Sequence, residues 1–171
     1  QIKPTQRLDE MAFYFPVSAL TVSRLKKTLM PFAKDMPVLE RIIPQLNFND
    51  LSGFMKGFID LVFEHEGRFY IADYKSNWLG DKASDYNNQS MTDAMVMHSY
   101  PLQYLLYSLA LHRYLKTRLP DYEPDKHFGG VYYLFIRGMQ PAWEQAGVYF
   151  DRPSSALLDA LDRCMQESAH D

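Results

Sequence analysis

Two aspartates and a lysine draw attention by where they sit. Asp60 interrupts the apolar run Phe58-Ile59-Asp60-Leu61-Val62-Phe63, and Asp73 lies within Tyr70-Ile71-Ala72-Asp73-Tyr74-Lys75. A carboxylate inside an apolar strand is costly to bury unless it is paired or bound to a cation. The two runs flank His65-Glu66-Gly67, a turn-like sequence with glycine at a position suited to positive φ, so 57–76 is expected to form a β-hairpin. Strand alternation puts Phe58, Asp60 and Val62 on one face and Ile59, Leu61 and Phe63 on the other. In the second strand it puts Phe69, Ile71, Asp73 and Lys75 on a single face. Neighbouring strands lie about 5 Å apart, so facing aspartates can hold one ion between them. Oxygen donors of this kind suit Mg²⁺, which keeps several waters. Such an ion generates hydroxide and stabilises a transferring phosphoryl centre. Lys75, beside Asp73, is placed to orient water or to offset charge developing on a phosphate. The residues alone leave a second reading open, in which both carboxylates sit at strand ends and are simply solvated. The apolar neighbours of Asp60 argue against it there.

The elements that must position these residues follow from periodicity. Residues 12–18 read as a strand, with Pro16 pointing to an edge or a bulge. A weak helix is expected over 19–30, and loop with short elements over the proline-containing stretch 31–53. Residues 77–97 read as loop with helical stretches. Leu102, Leu105, Leu106 and Leu109 recur at helical spacing, and Pro101 suits a first turn, so 100–116 is expected to be a helix. A charged linker over 117–128 leads to a buried strand at 129–137 and a short partner strand at 147–150. A serine-capped helix closes the chain at 154–166.

The 171 residues suit one domain with a sizeable core, and 47% hydrophobic content excludes disorder. No run approaches the about 18 continuous apolar residues of a membrane helix. The start has no apolar signal core, and a single cysteine, Cys164, precludes an internal disulfide. These features suggest a cytoplasmic protein with no membrane partner. The net charge of −3 is not the strong positive balance of a free-standing nucleic-acid binder, does not exclude one, and by itself reads as an ordinary soluble surface; the second reading is that other domains or subunits deliver a nucleic acid.

The strings GFIDLVF at 57–63, EHEGRFY at 64–70 and YIADYKSNWLG at 70–80 resemble the RecB type of nuclease domain within the PD-(D/E)xK superfamily. HSYPLQYLLYSLALHRYL at 98–115 and HFGGVYYLFIRG at 127–138 extend that resemblance over most of residues 6–165. It implies an α/β fold with a restriction-endonuclease-like mixed sheet core and flanking helices. It implies the motif aspartate at Asp60 and the acidic and lysine positions at Asp73 and Lys75, with Tyr74 between them. Tyr74 is then a candidate metal ligand through its carbonyl and a candidate DNA contact. A glutamate on the first core strand of the family best matches Glu10, a candidate third metal ligand. The family's Gln-x₃-Tyr pair falls on Gln103 and Tyr107, as DNA contacts. Spaced four apart, they share a helix face.

The family also has an upstream helix with a histidine near the metal. The five histidines here, His65, His98, His112, His127 and His170, all follow Asp60. Residues 1–171 are therefore expected to be a single partial domain lacking its N-terminal helical portion, and a poor nuclease alone. The implied function is Mg²⁺-dependent hydrolysis of DNA within a helicase–nuclease of the exonuclease V type, acting in double-strand-break repair and recombination. The implied partners are unwound single strands, an ATP-driven helicase portion of the same chain, and RecC- and RecD-type subunits. The alternatives are a docking module or a DNA-binding module that keeps the fold without chemistry. Trp78 and Tyr86 are candidates for stacking on bases, Trp78 reading equally as a loop anchor, and Arg24, Lys26 and Lys27 are either phosphate contacts or simply solvated. His65 reads as a turn residue, His98 as a helix cap or groove residue, and Met91, Met95, Met97 and Cys164 as packing.

Overall fold

The computed structural model describes residues 3–144 and 146–166; His170 lies outside them. Five strands form one sheet in the order β1-β2-β3-β4-β5. Strand β1 (Arg7–Leu20) is an edge strand, which accommodates Pro16. It pairs antiparallel with β2 (Leu51–His65), which turns through Glu66 and Gly67 into antiparallel β3 (Arg68–Lys75). Both turn residues have positive φ (51° and 75°), the backbone of a tight hairpin, and glycine meets it at no steric cost. Strand β4 (Phe128–Phe135) runs parallel to β3, and β5 (Val148–Asp151) antiparallel to β4. The sheet is therefore mixed, as expected.

A parallel neighbour requires a crossover. It is supplied by α3 (Asn88–Met97) and α4 (Tyr100–Arg118), whose Pro101 occupies the first turn. Before them come α1 (Val22–Leu29) and α2 (Pro37–Ile42). A short α5 (Pro124–His127) enters β4, so the 117–128 linker is not wholly irregular. The last helix among the described residues, α6 (Ser155–Gln166), is capped where the Leu157 N–H donates to Ser154 Oγ at 3.2 Å. Helix α4 faces the side of the sheet carrying Phe15, Val131, Tyr133 and Phe135, all buried. The opposite face carries a stacked, only partly covered group of Phe63, Tyr70, Tyr132 and Phe150.

One expectation about the hairpin fails. Simple alternation puts Ile59 and Val62 on opposite faces and Phe58 beside Val62, whereas Ile59 and Val62 are both buried and Phe58 is exposed. The pleat slips between them. Across the pair, Glu10 has φ +53° where the register continues from Asp9↔Leu61 to Met11↔Ile59. A left-handed residue on one strand and the broken alternation on the other are the two sides of one local irregularity. In β3 the alternation holds, with Ile71 and Asp73 buried and Tyr74 exposed.

Candidate active site

The β2–β3 register ends at Leu61↔Ala72, which brings Asp60 opposite Asp73 one step further on. The slip in β2 turns the Asp60 carboxylate toward β3, where Oδ2 accepts the Tyr74 N–H at 3.0 Å. Asp73 is 3% exposed, on the helix-facing side of the sheet. Its Oδ2 lies 2.7 Å from Lys75 Nζ, a buried ion pair at hydrogen-bonding distance. Burial pushes the Asp73 carboxyl above its ordinary range, Lys75 partly offsets that, and the Asp60 charge adds to it.

Lys75 is held from several sides. Its Nζ donates to Gln103 Oε1 at 3.0 Å and lies 4.0 Å from the centre of the Tyr100 ring and 5.0 Å from that of Tyr133. The Tyr133 hydroxyl donates to the same Gln103 oxygen at 2.9 Å, and Gln103 Nε2 donates to Tyr107 Oη at 2.9 Å. Tyr100 donates its hydroxyl to Asn77 Oδ1 at 3.2 Å. Burial raises the Tyr107 phenol, as does the nearby Asp73 charge, so the hydroxyl stays protonated at neutral pH. The four-residue spacing of Gln103 and Tyr107 on α4 does what helix geometry requires and aims both at the sheet. The structure thus brings Asp60, Asp73, Lys75, Gln103 and Tyr107 together, with Tyr74 beside them.

Glu10 stands opposite Asp60 in the β1–β2 register, between the pairs Asp9↔Leu61 and Met11↔Ile59. It is exposed, with a positive φ, and among the described residues no three acidic, histidine or cysteine side chains cluster as a metal cage. A divalent cation still fits what is present. The Asp60 carboxylate, the buried Asp73 carboxylate and the Tyr74 carbonyl are hard oxygen donors, and Mg²⁺ completes its shell with water.

Other sequence candidates separate. Tyr86 is buried, packs 6.1 Å from Trp143 and accepts the Leu79 N–H, so it is a core residue and not a stacking platform. Trp78 is 62% exposed. Arg24 binds the carbonyls of Ser18, Ala19 and Cys164, which makes it a tie between β1 and α6 rather than a phosphate contact. His98 stacks on Tyr100 at 5.2 Å. Met91, Met95 and Cys164 are buried, whereas Met97 is exposed. Sequence reasoning missed Tyr100, Tyr133 and Asn77. Tyr100 lies three residues before Gln103, one helical turn away, and that spacing was the available signal.

A mixed sheet of this topology, with an acidic pair on β2 and β3 and a lysine on β3 beside its parallel neighbour, defines a class. Residues 7–169 match the PD-(D/E)XK nuclease superfamily, and the chain belongs to it. It is similar in particular to the RecBCD enzyme subunit RecB. Identity is 46% over 162 residues for Escherichia coli strain K12, covering 95% of this chain and 14% of that protein. For Haemophilus influenzae it is 49% over 117 residues, covering 68% and 10%. For Mycobacterium tuberculosis strain H37Rv it is 38% over 182 residues, covering 94% and 17%. The chain therefore spans less than a fifth of the relatives it matches. Among the described residues, no helix is long and apolar enough to cross a membrane.

Proposed function

We propose that this chain is the nuclease domain of a helicase–nuclease and that it hydrolyses DNA phosphodiester bonds with Mg²⁺. The observation that carries the reading is the buried Asp73–Lys75 pair with Asp60 across the strand and Gln103 fixing the lysine from the helix side. Asp60, Asp73 and the Tyr74 carbonyl hold the ion. When bound, Mg²⁺ lowers the pKa of a bound water and offsets charge on the phosphate. Lys75, steadied by Gln103, Tyr100 and Tyr133, positions and polarises the attacking water. Tyr107 and Gln103 contact the DNA strand, and the exposed Tyr74 ring flanks it. By analogy with relatives named as subunits of RecBCD, the substrate is single strands unwound by a helicase portion of the same chain, the partners are RecC and RecD, and the setting is double-strand-break repair.

The test is Asp73→Ala in the full-length enzyme with its partner subunits, with Mg²⁺ present. Cleavage of single-stranded DNA should fall at least about a hundredfold, since a metal ligand contributes several kcal/mol to the transition state. Unwinding should persist. Unchanged cleavage would refute the role of Asp73.

A further inference from the structure

A groove of about 320 Å³ opens between β2 and α4 beside the acidic pair. Its walls are Phe13, Met55, Leu102 and Leu106, and its polar end is formed by Gln103 and Tyr107. We propose that this groove takes one unpaired nucleobase of the strand whose backbone lies at Asp60, Asp73 and Lys75. The inference rests on the nuclease reading above and adds a subsite to it.

Four observations carry it. The groove adjoins the reaction centre through Gln103, which lines it and whose Oε1 accepts from Lys75. Its walls are apolar, which suits the face of a base and excludes phosphate, since an unpaired buried charge is costly. Its volume lies at the small end of ligand pockets, enough for one base and too little for a folded element. Donors remain for the base edge. Gln103 Nε2 gives one N–H to Tyr107 and keeps a second, and Tyr107 keeps its O–H. Every base presents acceptors, so two donors in an apolar slot recognise a base without choosing among the four.

Gly57 helps to shape the wall. A Cβ there would lie 2.6 Å from the Phe13 ring, so the ring leans across β2 only because residue 57 has no side chain. Phe13 meets Tyr107 edge-on at 5.7 Å, which fixes one side of the slot.

The test uses the full-length enzyme with its partner subunits and Mg²⁺. The substrate is a single-stranded oligonucleotide with one cleavable linkage and phosphorothioates elsewhere, and one abasic residue is walked along it. Wild-type cleavage should fall about 5- to 150-fold at one position near the cut and little at others, the loss expected for one stacked base. Leu106→Trp, which fills the slot, should lower cleavage of the intact strand and flatten that positional effect. Its melting temperature checks folding, and the wild-type scan needs no variant. Equal cleavage at every abasic position overturns the subsite while leaving the nuclease reading intact. No cleavage of the unmodified strand by the wild type overturns the nuclease reading itself. A flat scan together with subunit release by Leu106→Trp would mean that the groove holds a protein segment, and overturns the proposal too.

Discussion

The Tyr100 ring sits 4.0 Å from Lys75 Nζ and its hydroxyl is tied to Asn77, so the ring is a fixed plate against which the ammonium rests. Such a contact contributes about 1–2 kcal/mol where the cation is desolvated, and Lys75 is only 11% exposed. Tyr100→Leu should therefore lower kcat about 5- to 30-fold in the full-length enzyme, with KM nearly unchanged, because the ring orients Lys75 and does not bind the strand. Tyr100→Phe keeps the ring and should retain most of the rate. Equal loss in both variants, or a change confined to KM, would show that Tyr100 does not act through Lys75. The contrast between these residues marks how far the site is legible in a sequence. Asp60 and Asp73 announce themselves as charges in apolar runs, and Gln103 and Tyr107 by their resemblance and helical spacing. Tyr100 and Tyr133 are aromatic residues among buried neighbours, where a ring that steadies a cation and a ring that only packs look alike. Glu10 is carried by resemblance alone, because nothing in its neighbours signals a glutamate with positive φ.

Helix α4 is tied to α6 and to β1 through one side chain. Arg113 Nε donates to Asp162 Oδ1 at 2.6 Å, and its guanidinium lies 4.6 Å from the centre of the Phe15 ring. Burial alone would raise the Asp162 carboxyl, but hydrogen bonds from Arg113 and Gln166 and the charges of Arg113 and Lys116 outweigh it and hold it below its ordinary range. A depressed carboxyl stabilises the fold above its unfolded value, and that contribution is lost as pH falls through the folded value. Asp162→Asn should thus cost about 1–2 kcal/mol at pH 7 by urea unfolding, and the difference from wild type should shrink below about pH 4. A constant difference across that range would show that packing, not charge, is what the substitution disturbs. At this scale much of the fold was legible. The hairpin, α4, β4 and α6 each bring a clean period and a turn or cap signal of their own. Helix α1 falls within the weak helix expected over 19–30, whereas α2 emerges from 31–53, where three prolines cut the pattern into pieces too short to show a period. The slip in β2 is illegible because it depends on β1 lying alongside, a contact between residues about 50 apart in the chain.

The whole molecule leaves one side of its sheet thinly covered. The helices that contact the acidic pair lie on one face. On the other, Tyr14 and Phe54 stack at 4.5 Å while 65% and 63% exposed, and Phe58 is exposed as well. With the partly covered Phe63, Tyr70, Tyr132 and Phe150, these make an aromatic surface running from the β1–β2 end to β5. Contiguous apolar area on this scale is uncommon on a monomer's free surface and favours association. Because the chain spans 14% of the length of its Escherichia coli relative, such a surface is suited to lie against the rest of a larger assembly. Taken alone, the 171-residue chain should therefore self-associate at tens of micromolar, its sedimentation coefficient rising with concentration. Replacing Phe54 and Phe58 together by serine should bring it toward a monomer with an unchanged far-ultraviolet circular dichroism spectrum, because neither side chain enters the core. If the unmodified chain sediments as a monomer at every concentration, the exposed rings are tolerated as they stand. If only the double variant aggregates, the aromatic face supports the fold and is not a contact surface.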